Sequence, residues 1–293
     1  MNRKGLFFIH VAVILFGCSG LFVKLIQMPA LLITLGRALF SAMSLYFFIH
    51  YRGDSLRLNK IRDYAWNILA GVLLTVHWFF FIMSIQVSSV SIGTITFATY
   101  PMFVFFMEPY MFKEKIQFKN LVSVIMIAIG IAFLIPAFEI TNATTLGILY
   151  GLISSFSFAF LSVINRKLAS KYDSVVITIN EQTVATIIMT LIISVSNVKL
   201  GQGTALQFIA LVIYGVLFTA VAHSLYVRGL THVKAQTASV ISVLEPVYSI
   251  FLAILFLQER LTYQEIIGTC FILLAVMIST LQYQYKGDSN ENI

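Results

Sequence analysis

The sequence predicts an all-α polytopic membrane protein whose ten transmembrane helices form two inverted five-helix repeats. Three observations carry that prediction. Of 293 residues, 59% are hydrophobic and only 11% charged, whereas a soluble domain is roughly a quarter charged, so the excess apolar surface has to meet lipid. The apolar runs have spanning length, since about 20 helical residues cross a hydrocarbon layer about 30 Å thick. The segments that begin at Pro101 and Pro246 also read alike.

The first span, Gly5–Ile26, follows the basic start Met1-Asn2-Arg3-Lys4. It is too long for the apolar region of a signal peptide and no small-residue cleavage site follows, so it is expected to be a retained helix. The next four are Ala30–His50, Tyr64–Gln86, Ser89–Phe112 and Phe118–Phe138. The second five are Thr145–Asn165, Ser174–Ser196, Leu206–Arg228, Ala235–Leu257 and Tyr263–Tyr283. The longest connection is Tyr51–Asp63, which leaves no room for a separate soluble domain. The expected organisation is a first repeat over residues 1–140, a second over 141–285 and a polar tail over 286–293.

Placing the N-terminus in the cytoplasm puts Arg3, Lys4, Arg52, Arg57, Lys60, Arg62, Lys113, Lys115, Lys119, Arg166, Lys167, Lys171, Arg228, Lys234 and Lys286 on that side. The other side carries Lys24, Lys199 and Arg260, while Arg37 lies within a span. Fifteen cationic residues against three is a strong positive-inside bias. Adding or removing one helix would invert everything downstream and spoil it. Both termini are therefore expected in the cytoplasm of a multi-pass protein of the cell (inner) membrane. The same clustering explains the net charge of +7 without nucleic acid, which would need a continuous basic stripe.

Pro101-Met102-Phe103 through Phe112-Lys113-Glu114-Lys115-Ile116-Gln117-Phe118 aligns without gaps on Pro246-Val247-Tyr248 through Leu257-Gln258-Glu259-Arg260-Leu261-Thr262-Tyr263. A weaker match pairs Phe16-Gly17 and Lys24 with Phe158-Ala159 and Arg166. Five spans is an odd number, so duplicated halves cross the bilayer in opposite senses. Inverted repeats of this kind have two nearly equivalent packings around one midplane site, and exchanging them exposes that site to each side in turn.

These features resemble the drug/metabolite transporter superfamily, specifically its EamA-type ten-helix members. The resemblance rests on Phe16-Gly17 through Lys24, Arg37, Pro101…Glu114-Lys115, Glu245-Pro246…Glu259-Arg260, and the glycines Gly130 and Gly268. It covers nearly the whole chain, with Phe16 standing where the family often has tryptophan. It implies a central cavity between the halves and secondary transport, often export, of amino acids, other metabolites or drugs. The motifs name no substrate.

Read residue by residue, Pro101 and Pro246 lie near the middle of their spans, where a proline removes a backbone hydrogen bond; both are expected hinges. Glu245 sits near the midplane, where a carboxylate costs about 2.5–3.5 kcal/mol on insertion scales, and so reads as a proton or cationic-substrate site or as a structural hydrogen-bond acceptor. Arg37 is expected to pair with Glu245 or to snorkel to the interface. Pairing with Glu181 is disfavoured, because their depths differ by roughly 9 Å in a core about 30 Å thick. His77 with Trp78, and His223 with Tyr226 one helical turn on, are expected either to line the cavity or to make interhelical hydrogen bonds. Thr96, Thr99, Tyr100, Ser242 and Tyr248 flank the prolines and complete the expected lining.

Outside that set, Glu181 is expected to be structural, Glu108-Pro109 to sit at the membrane interface, and Glu114-Lys115 and Glu259-Arg260 to terminate and anchor helices. Gly147 and Gly151 fit the small-xxx-small pattern, and Asn142-Ala143-Thr144 matches a glycosylation sequon. Cys18 and Cys270 fall inside apolar runs without metal-ligand spacing, and no phosphate loop, HExxH pair or nucleophile elbow occurs. Neither metal nor cofactor is expected. The function expected is gradient-coupled transport of a small polar metabolite, amino acid-like solute or drug by alternating access. The alternative is a membrane-embedded enzyme acting on a lipid-linked substrate, which would need converging groups such as paired His and Asp that these short loops scarcely offer. Expected partners are the small-molecule substrate, membrane lipid and protons or another coupling ion, with a homodimer as an open alternative. Reporter fusions at each terminus should both read as cytoplasmic; ends on opposite faces would contradict the ten-span count.

Overall fold

A computed structural model describes residues 3–113, 121–134, 142–198 and 203–290. All regular elements among them are helices. α1 (Arg3–Gly17) and α2 (Ser19–Ile26) form the first span, followed by α3 (Ala30–Arg52) and α4 (Ile61–Val87). The fourth is split into α5 (Val90–Phe97) and α6 (Tyr100–Phe112), and α7 (Leu121–Leu134) is the fifth. The second half begins with α8 (Ala143–Ala169) and α9 (Ser174–Val195). α10 (Ala205–Gly215) then runs through a π-helical segment, Val216–Val221, into α11 (Ala222–Leu230). α12 (Ala235–Ile241) and α13 (Leu244–Leu257) make the ninth span, and α14 (Tyr263–Asn290) the last. Eight of these segments are long and apolar enough to cross a membrane; α7 and α14 provide the other two of the ten. α14 carries its helix to Asn290, into the expected polar tail, with no proline after Tyr263 to stop it.

Three spans expected as continuous are interrupted, at Cys18, at Ala98–Thr99 and at Ser242–Val243. The prolines explain two of the breaks more economically than a kink would. Pro101 and Pro246 fall in the first turns of α6 and α13, where a backbone N–H has no intrahelical partner to lose.

The main helix pairings recur when the two halves are exchanged. α3 lies against α9 and α7 against α14, each helix against its own counterpart, while α4 packs on α8 as α11 packs on α1. The broken spans cross: α5 meets α13, and α12 meets α6. First half against second half means that the fourth and ninth spans run antiparallel. Outward-facing positions such as Phe47, Leu191 and Phe251 are more than 60% exposed, as lipid-facing apolar residues should be.

Small residues set the closest approaches. A Cβ on Gly215 would lie 2.7 Å from Phe40 Cβ and 3.1 Å from the Arg37 carbonyl oxygen, and one on Gly36 would collide with Leu211. α3 and α10 therefore meet almost backbone to backbone beside Arg37. Gly147 and Gly151 of α8 likewise make room for Ser88 and Thr96. Asn142, read as a sequon, caps α8, its Oδ1 accepting from the backbone N–H of Thr144 at 2.9 Å. At the end expected in the cytoplasm, Asp63 accepts from Lys171 Nζ at 3.1 Å and Tyr172 Oη at 2.7 Å, tying the start of α4 to the α8–α9 turn. Burial, followed by that bond to Asp63, pushes the Tyr172 phenol above its ordinary range.

Gly215→Ala should destabilise the purified protein by about 1–3 kcal/mol, because the facing atoms are main chain and Cβ and have little freedom to yield. Gly53→Asn, at φ +72° with nothing within 4 Å of a new Cβ, should cost less, about 1 kcal/mol, because only the left-handed backbone opposes it and asparagine tolerates that conformation. Unfolding in detergent measures both.

Candidate functional site

A small cavity of about 20 Å³ lies beside the crossing of the broken spans. Arg37, His77, Trp78, His223 and Glu245 line it, together with Phe16, Ser19, Phe81, Phe97, Phe158 and Thr219. Its polar groups come from α3, α4, α11, α13, the start of α2 and the π segment, and its aromatic walls from α1, α4, α5 and α8.

The π segment explains the setting of Arg37. Its extra residue per turn lets Thr219 Oγ1 donate to the Tyr214 carbonyl five residues back, at 2.9 Å. Both side chains then face α3. Arg37 Nε donates to Thr219 Oγ1 at 3.2 Å and Nη1 to Tyr214 Oη at 2.8 Å. The guanidinium carbon lies 4.1 Å from the Trp78 ring centroid and 4.4 Å from that of Tyr214, close enough for cation–π attraction from both rings.

Arg37 is 3% exposed, so it does not snorkel. Nor does it form the expected ion pair with Glu245: among the described residues no contact within 4 Å joins them. Depth along a span brought the two residues near each other, but the donors of Arg37 are drawn sideways to α10 and the π segment. Glu245 is 4% exposed, and its carboxylate has no hydrogen-bond partner among the described residues.

His77 Nδ1 shares a 2.8 Å hydrogen bond with Ser154 Oγ, and its ring lies 4.7 Å from that of Phe158 and 4.9 Å from that of Phe97. His223 Nε2 is 2.8 Å from Glu181 Oε2. Both readings of these histidines hold at once, since each lines the cavity with one part of its ring and is anchored by another. Glu181 is fully buried; it supports a cavity residue from behind. The available signal was its place in the repeat, quasi-equivalent to that of Arg37, together with a histidine on the following span.

The other expected lining residues lie outside this cavity wall. Thr99 Oγ1 donates to the Thr96 carbonyl at 2.8 Å and pairs with Ser155 Oγ at 2.9 Å. Tyr100 stacks on Phe97 at 5.1 Å, and Tyr226 Oη pairs with Ser162 Oγ at 2.8 Å. Ser242 Oγ donates back to the Ala238 carbonyl at 3.0 Å. Tyr248 packs against Gly17, where a Cβ would lie 2.5 Å from its own. The hydroxyls near the breaks thus mostly satisfy backbone and neighbouring helices. Thr96 is packed against Gly151.

Two carboxylates fasten the crossing. Glu108 is 1% exposed, so near the end of its span it turns into the protein and not toward solvent or lipid. It accepts from the backbone N–H of Ala235 at 2.8 Å and of Gln236 at 2.9 Å, and it pairs with Arg166 Nη1. Glu259 does more than anchor a helix end, accepting from the N–H of Val90 at 3.0 Å, the N–H of Ser91 at 3.3 Å and Ser91 Oγ at 3.0 Å. Each glutamate therefore caps the broken span of the other half, at opposite ends of the crossing. The capped positions, Val90-Ser91 and Ala235-Gln236, sit at the same offset as Pro101 and Pro246. Glu114, Lys115, Lys119 and Lys199 lie outside the described residues.

A profile of the EamA-like transporter family matches residues 3–135 and again residues 145–281. The chain belongs to this family. The EamA-like assignment agrees with the curated relatives. The chain is 24% identical over 298 residues to the uncharacterized inner membrane transporter YicL of Salmonella typhimurium, covering 98% of each chain. It is 21% identical over 283 residues to the uncharacterized transporter YxxF of Bacillus subtilis, covering 95% of this chain and 90% of the relative. A solved crystal structure superposes with a TM-score of 0.75 over 97% of this chain and 99% of its own; at 15% identity this speaks for the fold alone. This EamA-like protein is thus a multi-pass membrane transporter of a small-molecule substrate.

Glu108→Ala should cost about 2–3 kcal/mol, because it leaves the helix-initial N–H groups of Ala235 and Gln236 without their acceptor and removes the ion pair with Arg166. Glu108→Gln, which keeps an acceptor, should cost clearly less. Equal unfolding midpoints for Glu108→Ala and the parent would show that the cap contributes nothing.

Proposed function

We propose that this EamA-like transporter is a gradient-driven carrier for a small amphipathic solute of the amino acid or drug type, working by alternating access in the cell (inner) membrane with both termini in the cytoplasm. One observation carries the reading. Arg37 and Glu245 open into the same cavity without an ion pair between them. A buried charge is stable only when compensated, and two opposite charges left apart suit a ligand that is polar at each end. Arg37 would meet an acceptor and Glu245 a donor or cation. The rings of Phe16, Trp78, Phe81, Phe97 and Phe158 would cover an apolar or aromatic middle.

The halves on either side of residue 141 are the moving units in this reading. The Glu108 cap closes the cytoplasmic end of the crossing and the Glu259 cap the outer end. With both formed, the cavity is occluded. Transport then requires one cap to open while the other holds, with the breaks at Pro101 and Pro246 as hinges. The chain carries no phosphate-cradling loop, so the energy comes from an ion or solute gradient.

A thermal-shift screen of the purified protein against amino acids, amines, nucleosides and carboxylates is the first test. Compounds with both a cationic and an acceptor group should raise the unfolding temperature most, and Glu245→Gln should remove the rise. For a compound so found, counterflow into proteoliposomes should fall at least tenfold in Glu245→Gln at equal membrane level. Unchanged counterflow with an unchanged pH profile would exclude Glu245 from the mechanism.

A further inference from the structure

Behind the cavity wall, α8 and α9 bury a cluster of polar side chains that the structure leaves short of partners. Glu181, Asn165, Thr178 and Gln182 are each fully buried. Glu181 Oε1, Thr178 Oγ1 and both polar atoms of Asn165 and of Gln182 have no hydrogen-bond partner. Thr178, Glu181 and Gln182 stand at i, i+3 and i+4 on α9 and so share a face. Asn165 faces the Glu181 carboxyl from α8 at the margin of hydrogen-bonding range. α4 seals the cluster: Gly71 comes so close that a Cβ there would lie 3.0 Å from the Glu181 carbonyl, and Asn67 Nδ2 donates to the Ile177 carbonyl at 3.3 Å. On the cavity side stands His223, bonded to the other oxygen of Glu181.

Buried polar groups are rarely left unpaired, and several together on facing helices call for a guest. The donor set identifies its class. Glu181 Oε1, Asn165 Oδ1, Gln182 Oε1 and Thr178 Oγ1 offer four oxygens, only one of them on a charged group. Oxygen donors suit a hard cation, and a single carboxylate neutralises a monovalent ion, whereas divalent ions bind larger or more highly charged oxygen sets. We infer that Asn165, Thr178, Glu181 and Gln182 form a binding site for a monovalent alkali cation, separated from the substrate cavity by His223. The site deepens the carrier reading and rests on it for its purpose: an ion held here shares the Glu181 carboxylate with His223, so its arrival or departure resets the hydrogen bonding of a cavity wall that also holds Arg37, His77 and Glu245.

The test needs no substrate. The purified protein is unfolded thermally in sodium chloride and in choline chloride of equal ionic strength, at several pH values. Sodium should raise the unfolding temperature by roughly 5 °C at saturation. Glu181→Gln should abolish that rise, and Thr178→Val, which keeps the shape and removes one oxygen, should shift its midpoint to at least tenfold higher sodium. Thr178→Val serves alone if Glu181→Gln does not fold. The inference is overturned by equal unfolding temperatures in the two salts, by a sodium effect that survives both substitutions, or by a dependence on pH with none on sodium, which would make the guest a proton. Counterflow without a sodium effect would remove this site and leave the carrier standing, and a sodium effect without counterflow would do the reverse.

Discussion

A helix broken inside a membrane exposes backbone groups that lipid cannot satisfy, and this constraint organises the structure. Non-helical backbone at membrane depth survives only where protein or a polar cavity surrounds it. The fourth and ninth spans are both broken, and both breaks, Ala98–Thr99 and Ser242–Val243, are buried. The two spans cross antiparallel, α5 on α13 and α12 on α6, and their starting N–H groups are taken up by Glu259 and Glu108. Those carboxylates are themselves compensated by the N–H groups they cap, and in the case of Glu108 also by Arg166. The cavity lies next to these breaks, with Phe97 at the end of α5 and Glu245 in the first turn of α13 on its wall.

The π segment of the eighth span is the second device on which the site depends. Without the extra residue, Tyr214 and Thr219 would not both face α3, and Arg37 would have no hydrogen-bonded seat. The close approach of Gly36 and Gly215 brings the seat within reach. Arg37 is thereby held by neutral partners and rings, and Glu245 by nothing comparable. A site that keeps opposite charges separate and oriented is prepared for a ligand at the cost of its own internal pairing.

Much of this was legible in the chain. Span positions, the repeat and the family followed from apolar length, charge asymmetry and the two proline–glutamate segments, because bilayer thickness and insertion physics act on composition directly. Arg37, His77, Trp78, His223 and Glu245 were legible as polar or aromatic residues at depths where such groups are costly, and they share one cavity. Lateral relations were less accessible. Depth along a helix does not say which way a side chain turns, so depth matches Arg37 to Glu245 where the structure seats it on Tyr214 and Thr219, and the position of Glu108 near a span end does not reveal that it turns inward to Ala235, Gln236 and Arg166. The hydroxyls of Thr99 and Ser242 bond to carbonyls three and four residues back, a choice that depends on rotamer and leaves no mark in residue type. The π segment carries no proline or glycine signal within Val216–Val221.

The central claim is that the two glutamate caps are opposed latches on one cavity. A cysteine at Ser19, on the cavity wall, in a background with Cys18 and Cys270 replaced by alanine, reports on it through its rate of labelling by a membrane-impermeant thiol reagent in right-side-out and inside-out vesicles. Glu108→Gln should raise the rate from the cytoplasmic side and lower it from the outside, and Glu259→Gln should do the opposite. Substitutions that move both rates in the same direction, or leave them equal to the parent, would contradict the account.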